Sequence, residues 1–146
     1  RWWQALVADF RPFIRAFDDP SSIKPGRESE ERFSVAYRPV GQEAIILGLM
    51  RAHKKTKASP KLLVERLNKI PLSLHDPIWI GLLMGGGGER SRIITKRVGI
   101  AADLIAYMLV GHEGYGATAT AKLEKEVGDA KREYGMSYRG LPKPVI

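Results

Sequence analysis

The chain has 146 residues, 44% of them hydrophobic, and it carries 24 Lys and Arg against 16 Asp and Glu, for a formal net charge of +8. This length predicts one domain that can bury a core of its own, and the absence of Cys excludes disulfides, thiolate metal sites and a cysteine nucleophile. The surplus of positive charge points to a polyanionic partner rather than to a particular fold.

An aromatic segment opens the chain, because seven of its twelve aromatic residues fall within the first 37 positions. Apolar residues recur at spacings of three and four between Trp3 and Phe17. This spacing predicts an amphipathic helix, which Pro12 kinks or restarts behind an Asp9 cap.

A linker is predicted next, since residues 18–26 are rich in turn formers. Residues 1–26 would then be a tethered arm whose aromatic face is buried against a neighbouring subunit, giving a head-to-tail contact that can propagate as a filament. An equally weighted alternative is that the arm folds back onto its own bundle. The expected subunit-interface residues are Trp2, Trp3, Phe10, Phe13 and Phe17.

Two helices are predicted within the basic segment, residues 27–72. The first begins at Pro39 and continues to about Lys55, and the second opens at the Ser59-Pro60 pair and continues to about Lys69. The residues expected on one apolar face of the first helix are Ile45, Ile46, Leu49 and Met50.

Three further helices are predicted in residues 73–146, which would form the rest of the bundle with an extended C-terminal tail. A short apolar helix is expected over residues 78–84, a longer one from about Ile94 to Gly111, and a last one over residues 117–134. The small residues of the second of these, Gly99, Ala102 and Ala106, would let another helix approach closely. No segment alternates with period two, so the predicted fold class is all-α, an N-terminal helical arm plus a bundle of about four helices.

The glycine run over residues 85–88 could present backbone N–H groups to a phosphate, because Arg90 and Arg92 follow it. A Gly-Lys-Ser/Thr sequence and a preceding strand are both missing, which favours a flexible connection.

Catalytic and metal-binding patterns are weak. The three histidines, His53, His75 and His112, have no metal-like partner three or four residues away, so we expect no metal, no cofactor and no enzymatic activity. An enzyme site assembled from His112, Glu113 and Arg90 remains an alternative.

The strongest functional signal is the charge of residues 38–72, which hold eight basic and two acidic groups. Few amide side chains accompany them, which favours contact with phosphates over reading of bases. A solvated charged face is the plainer interpretation. The candidate nucleic-acid-binding residues are Arg38, Arg51, Lys54, Lys55, Lys57, Lys61, Arg66 and Lys69, with Arg90, Arg92, Lys96 and Arg97 further along the chain.

This arrangement resembles the major coat proteins of filamentous double-stranded DNA viruses of hyperthermophilic archaea. The resemblance lies in the arm from Trp2 to Phe17, the basic strip from Arg38 to Lys69 and the bundle from Pro77 to Tyr134. It implies a structural role in the virion, in which arms wrap the DNA and bundles form the outer wall.

The resemblance also implies the partners, which would be double-stranded DNA and other copies of the chain or a paralogous coat subunit. The alternative is a small dimeric helix-turn-helix regulator or nucleoid protein, with the turn between the two helices of residues 39–69. No membrane span is expected, because residues 78–84 and 100–110 are too short for one. The sequence begins with Arg1 rather than Met, from which we expect a processed or partial chain.

Overall fold

The structure, a computed structural model, describes residues 1–22, 34–85 and 93–146. Within these ranges the fold is all-α, as predicted: an N-terminal helical arm and a helical bundle, with β-structure limited to isolated bridges. The described helices are α1 (Trp2–Asp9), α2 (Arg11–Asp18), α3 (Pro39–Thr56), α4 (Pro60–Leu67), α5 (Val98–Val110) and α6 (Ala117–Glu133). Short 3₁₀ turns cover Pro20–Ser22, Val35–Tyr37 and Gly111–Glu113.

The centre of the bundle is the pair α3 and α5, which share the most extensive helix contact of the described residues. A Cβ added at Gly48 would lie 2.7 Å from Ile105 Cγ2 and 3.1 Å from the carbonyl oxygen of Ala102. The two backbones therefore approach closely because α3 has a glycine there. The predicted close approach on the small-residue face of α5 is confirmed at Ala102, whereas Gly99 lies in open space.

Helix boundaries follow local signals in most cases. The Ser59 side chain accepts a hydrogen bond from the Leu62 N–H at 3.2 Å, which caps α4 as predicted. Gly111, at φ 58°, ends α5. Pro12 restarts the arm helix, but the predicted Asp9 cap is wrong, because Asp9 is the last residue of α1 and Phe10 precedes α2 without a side-chain cap.

The predicted helix over residues 78–84 is wrong, since this segment forms turns and isolated bridges. Asp76 Oδ1 does accept from the Ile78 N–H at 3.0 Å, so the start signal is present. The carbonyls of Pro77, Ile78 and Ile80 all accept hydrogen bonds from the Lys131 ammonium. These carbonyls are therefore turned toward a side chain of α6 instead of toward amides four residues ahead.

The arm folds back onto its own chain. Leu6 and Phe10 are buried in the same core as the bundle, at 1% and 0% exposure. Asn68, just after α4, joins the two parts: its Nδ2 donates to the Asp9 carbonyl at 2.7 Å, and its Oδ1 accepts from the Arg11 N–H at 3.0 Å. The assignment of Phe10 to a subunit interface is wrong, because its ring is fully buried within this chain.

The apolar face predicted for α3 is only half correct. Ile45 and Leu49 are buried, whereas Ile46 and Met50 are exposed at 38% and 53%. Ile46 lies beside the aromatic rings of the arm, and Met50 faces the solvent one turn further along α3.

Candidate nucleic-acid interface

The corner between α3 and α4 carries a cluster of exposed lysines. Helix α3 ends at Thr56, and Lys57 follows it in the left-handed conformation at φ 60°, with its N–H donating to the His53 carbonyl at 2.7 Å. A non-glycine residue there costs about 1–2 kcal/mol. Lys54, Lys55, Lys57 and Lys61 are exposed at this corner, and the exposed Lys69 follows the far end of α4.

Most of these ammonium groups lack an acidic partner within the described ranges. Lys55 Nζ lies 4.3 Å from the centroid of the Tyr115 ring, in a cation–π contact. The salt bridges of the described residues include none of these five lysines, and Glu65 pairs with neither Lys61 nor Lys69. Lys54, Lys57, Lys61 and Lys69, which we call the corner lysines from here on, therefore have no acidic partner among residues 1–22, 34–85 and 93–146.

Two of the arginines predicted to contact nucleic acid, Arg51 and Arg66, donate hydrogen bonds to carbonyls of α5. Arg51 donates to the Gly99 carbonyl at 2.7 Å and forms a 3.3 Å salt bridge with Asp103. Arg66 donates to the Leu109 carbonyl at 3.0 Å. Both guanidinium groups thus bind groups of α5, which gives them a structural role, and their contact with nucleic acid stays a prediction.

The remaining cations predicted to bind nucleic acid differ in their surroundings. Arg97 pairs with Glu133 and donates to the Gly81 carbonyl at 3.4 Å, and Lys96 lies 3.5 Å from the same Glu133 carboxylate. Arg38 is half-buried and already has a partner. Arg90 and Arg92 lie outside the described residues. The structure therefore places Lys54, Lys57 and Lys61 on either side of one turn, whereas Lys96 and Arg97 lie beside Glu133 of α6.

An aromatic surface lies beside this corner. The arm rings Trp3, Phe13 and Phe17 line a cavity of about 380 Å³ together with Tyr37, Gln42 and Ile46. Trp3 and Phe17 are exposed at 61% and 58%, so these two predicted interface residues do lie at the surface. Trp2 is half-buried, with its ring edge-on to His53 at 5.5 Å. Gln42 and Ile46 were not singled out from the sequence, where no local pattern marks them.

The buried centre of the fold holds the residues with the largest pKa changes. Burial, the Asp103 charge and a 3.0 Å hydrogen bond to Asp103 raise the pKa of Tyr115. Burial lowers the pKa of Lys131 to about 8. The Tyr115 hydroxyl and the Lys131 ammonium hold α6 and its preceding turn to the rest of the bundle, and the Tyr115 ring also contacts Lys55.

Two of the three candidate enzyme residues lie within the described part of the chain. His112 and Glu113 are exposed in the 3₁₀ turn after α5, where the His112 ring meets Tyr107 edge-on at 5.9 Å. Arg90 lies outside the described residues. Across residues 1–22, 34–85 and 93–146, no group of three or more carboxylate, His or Cys side chains is placed to hold a metal ion. The described part of the chain also contains no helix long and apolar enough to cross a bilayer.

Comparison with known proteins gives one weak similarity. No protein family and no solved structure matches the chain. The chain is 31% identical over 113 residues to 4-hydroxy-3-methylbut-2-en-1-yl diphosphate synthase (flavodoxin) of Akkermansia muciniphila. The match covers 77% of this chain but 17% of that enzyme, so the chain corresponds to a small part of its length.

Proposed function

We propose that this domain is a non-enzymatic nucleic-acid-binding protein that grips the sugar-phosphate backbone with the corner lysines. The observation that carries this proposal is the group of exposed ammonium groups on two adjoining helices with no acidic partner among the described residues. Three such groups around the turn between α3 and α4, with Lys69 beyond the far end of α4, favour a polyanion, because phosphates are spaced closely enough to contact several of them at once.

Binding of this kind would not depend on sequence. The exposed side chains of α4 are Lys61, Leu62 and Glu65, and Arg66 is held by the Leu109 carbonyl. Readers of the major groove use Arg, Asn or Gln on a recognition helix to pair with base edges. Although α3, the turn at residues 57–59 and α4 follow the order of a helix-turn-helix, α4 exposes one lysine, Lys61, that suits a phosphate and no amide that suits bases.

The small number of phosphate contacts that one copy can make favours a packaging role, in which many copies bind together. If each corner lysine neutralises one phosphate of a duplex, the log–log salt slope is about −3.6 per subunit, which on its own gives weak binding. Many copies along one strand would bind tightly through their combined contacts. We therefore propose that the protein coats nucleic acid as an array of copies, as a viral coat protein does.

The test compares two triple variants with the same loss of charge. Lys54→Gln, Lys57→Gln and Lys61→Gln together remove three of the four corner lysines, whereas the exposed Lys122, Lys125 and Lys143, changed to Gln, serve as the control. Binding to a labelled duplex is measured by fluorescence anisotropy across a salt series, with folding checked by circular dichroism.

The two variants should differ in the salt slope. The corner variant should fall from a slope of about −3.6 to about −0.9, while the control keeps nearly the original slope. Equal changes in both variants would show that net charge alone attracts the DNA, and an unchanged slope in the corner variant would place the binding surface elsewhere.

A further inference from the structure

The aromatic cavity of the arm has the size and lining of a site for a small planar group. Its volume of about 380 Å³ falls within the range of about 300–1,000 Å³ that is typical of small-molecule sites. Aromatic rings from α1, α2 and the Val35–Tyr37 turn form most of its wall. A core defect would instead be closed, whereas Trp3 and Phe17 are both more than half exposed.

The rings are arranged so that the Trp3 indole can still stack on a ligand. Phe13 lies 6.1 Å from Trp3 at an interplanar angle of 53°, and Phe17 lies 6.3 Å from it at 84°. Neither neighbour lies parallel to the indole. Since aromatic rings stack best in offset parallel geometry, a flat ring that enters the cavity can make the parallel contact that the phenylalanines do not make.

One amide gives the cavity a polar group. Gln42 Nε2 donates to the Ala36 carbonyl at 3.1 Å, which fixes the orientation of the side chain. Its Oε1 is left to accept a hydrogen bond. A planar ligand with an N–H at its edge, such as a nucleobase, matches this combination of stacking surface and acceptor.

The cavity and two of the corner lysines, Lys54 and Lys57, lie along α3 and its C-terminal end. Ile46 lines the cavity, and Met50 and Lys54 follow it at intervals of four residues, with Lys57 three residues further on. At 1.5 Å per residue, Lys54 lies about 12 Å along the helix from Ile46. A strand with one base in the cavity would therefore run its phosphates toward the lysines within a few nucleotides.

We propose that the cavity lined by Trp3, Phe17 and Gln42 takes an unpaired base of a single-stranded nucleic acid whose phosphates lie on the corner lysines. This inference rests on the proposed function and makes it more specific, because a base in a duplex is already stacked and paired and cannot enter the cavity. Aromatic stacking platforms beside a positively charged surface are the general means by which proteins hold single strands.

The test uses a strand with bases and a strand without them. The probes are an oligothymidylate within the roughly 4–16 nucleotides that single-strand sites cover, an abasic strand of the same length, and a duplex. The wild-type protein should bind the oligothymidylate about tenfold more tightly than the abasic strand. Trp3→Ala should remove this preference and leave binding of the abasic strand unchanged. Leu62→Ala, at an exposed apolar residue outside the cavity, is the matched control.

Tryptophan fluorescence reports the cavity directly. Trp79 is fully buried and Trp2 is half-buried, so quenching by a stacked base should come mainly from Trp3. Trp3→Phe keeps a ring for stacking, and it should retain the base preference within a few-fold while losing most of the quenching. Loss of the base preference in Trp3→Phe as well as in Leu62→Ala would mean that these variants act through the fold, which would overturn the inference.

The outcomes separate this inference from the proposed function. Equal binding of abasic and base-bearing strands would overturn the base site, even if the corner lysines set the salt slope. Equal weakening of all three probes by Trp3→Ala would also overturn it, since the aromatic surface would then serve contact between copies. A third outcome is a base preference that depends on Trp3 together with a salt slope that does not change when the corner lysines are replaced. This outcome would support the base cavity and overturn the lysine surface.

Discussion

Phe10 tests whether the arm is docked on its own chain. The Phe10 ring, just before α2, is buried in the core at 0% exposure, whereas Phe17, near the end of α2, is 58% exposed. Replacing a fully buried Phe by Ala removes its transfer free energy and leaves a cavity, and such changes cost about 3–5 kcal/mol. Phe10→Ala should therefore lower the free energy of unfolding by that amount, which corresponds to a fall in Tm of about 10 °C for a chain of this length.

Phe17→Ala is the matched control. It removes the same atoms from the surface and loses at most the edge-on contact with Trp3, which is worth about 1 kcal/mol. The assay is urea unfolding followed by far-ultraviolet circular dichroism, repeated at several protein concentrations. Docking within one chain predicts a midpoint that does not change with concentration. A small loss in both variants, or a midpoint that rises with concentration, would show that the arm is buried between subunits.

Three other changes test separate features. Gly48→Ala should destabilise the fold by about 1–3 kcal/mol because the new Cβ meets Ile105, whereas Gly99→Ala, in open space in α5, should stabilise it by up to about 1 kcal/mol; thermal unfolding compares the two. Lys57→Gly should stabilise the fold by about 1 kcal/mol, since glycine adopts φ 60° without strain, yet it should weaken DNA binding; a loss of stability would contradict the strain at this position. The pKa of Lys131 is about 8 in the folded protein and 10.5 in the unfolded chain. Between these pH values the unfolded chain binds more protons than the folded protein does. The contribution of Lys131 to the free energy of unfolding should therefore rise with pH across this window, by up to about 3 kcal/mol. Lys131→Met should remove that rise and Lys125→Met should keep it; identical pH profiles of all three proteins would refute the assignment.

The helices that could be predicted are those whose ends carry local signals. Pro39, the Ser59-Pro60 pair and Gly111 each set a boundary through their own backbone or side chain, so the sequence alone locates α3, α4 and the end of α5 to within a few residues. Periodicity identified the apolar residues correctly but could not say what covers them. Ile46 and Met50 match the helical spacing as well as Ile45 and Leu49 do, and they lie at the surface because the arm covers only part of α3.

The site could be predicted only in part, for the same reason. Clustering of Lys54, Lys57 and Lys61 follows from helix geometry and a short turn, which are local properties. The engagement of Arg51 and Arg66 depends on carbonyls of α5 that lie 48 and 43 residues away in sequence. A count of positive charges cannot distinguish a side chain that faces solvent from one that donates to a carbonyl far away in sequence. This difference decides which residues are available to bind a partner.

The anchoring of residues 77–80 by one ammonium group has a consequence for the order of events during synthesis. The three carbonyls it bonds lie 51 to 54 residues before Lys131. Long-range closures of this kind are slow, because the entropy of the intervening chain is lost before any contact forms. As the chain leaves the ribosome, the three carbonyls of this stretch stay hydrated until Lys131 has emerged, so residues 77–80 cannot reach their final conformation before α6 is synthesised.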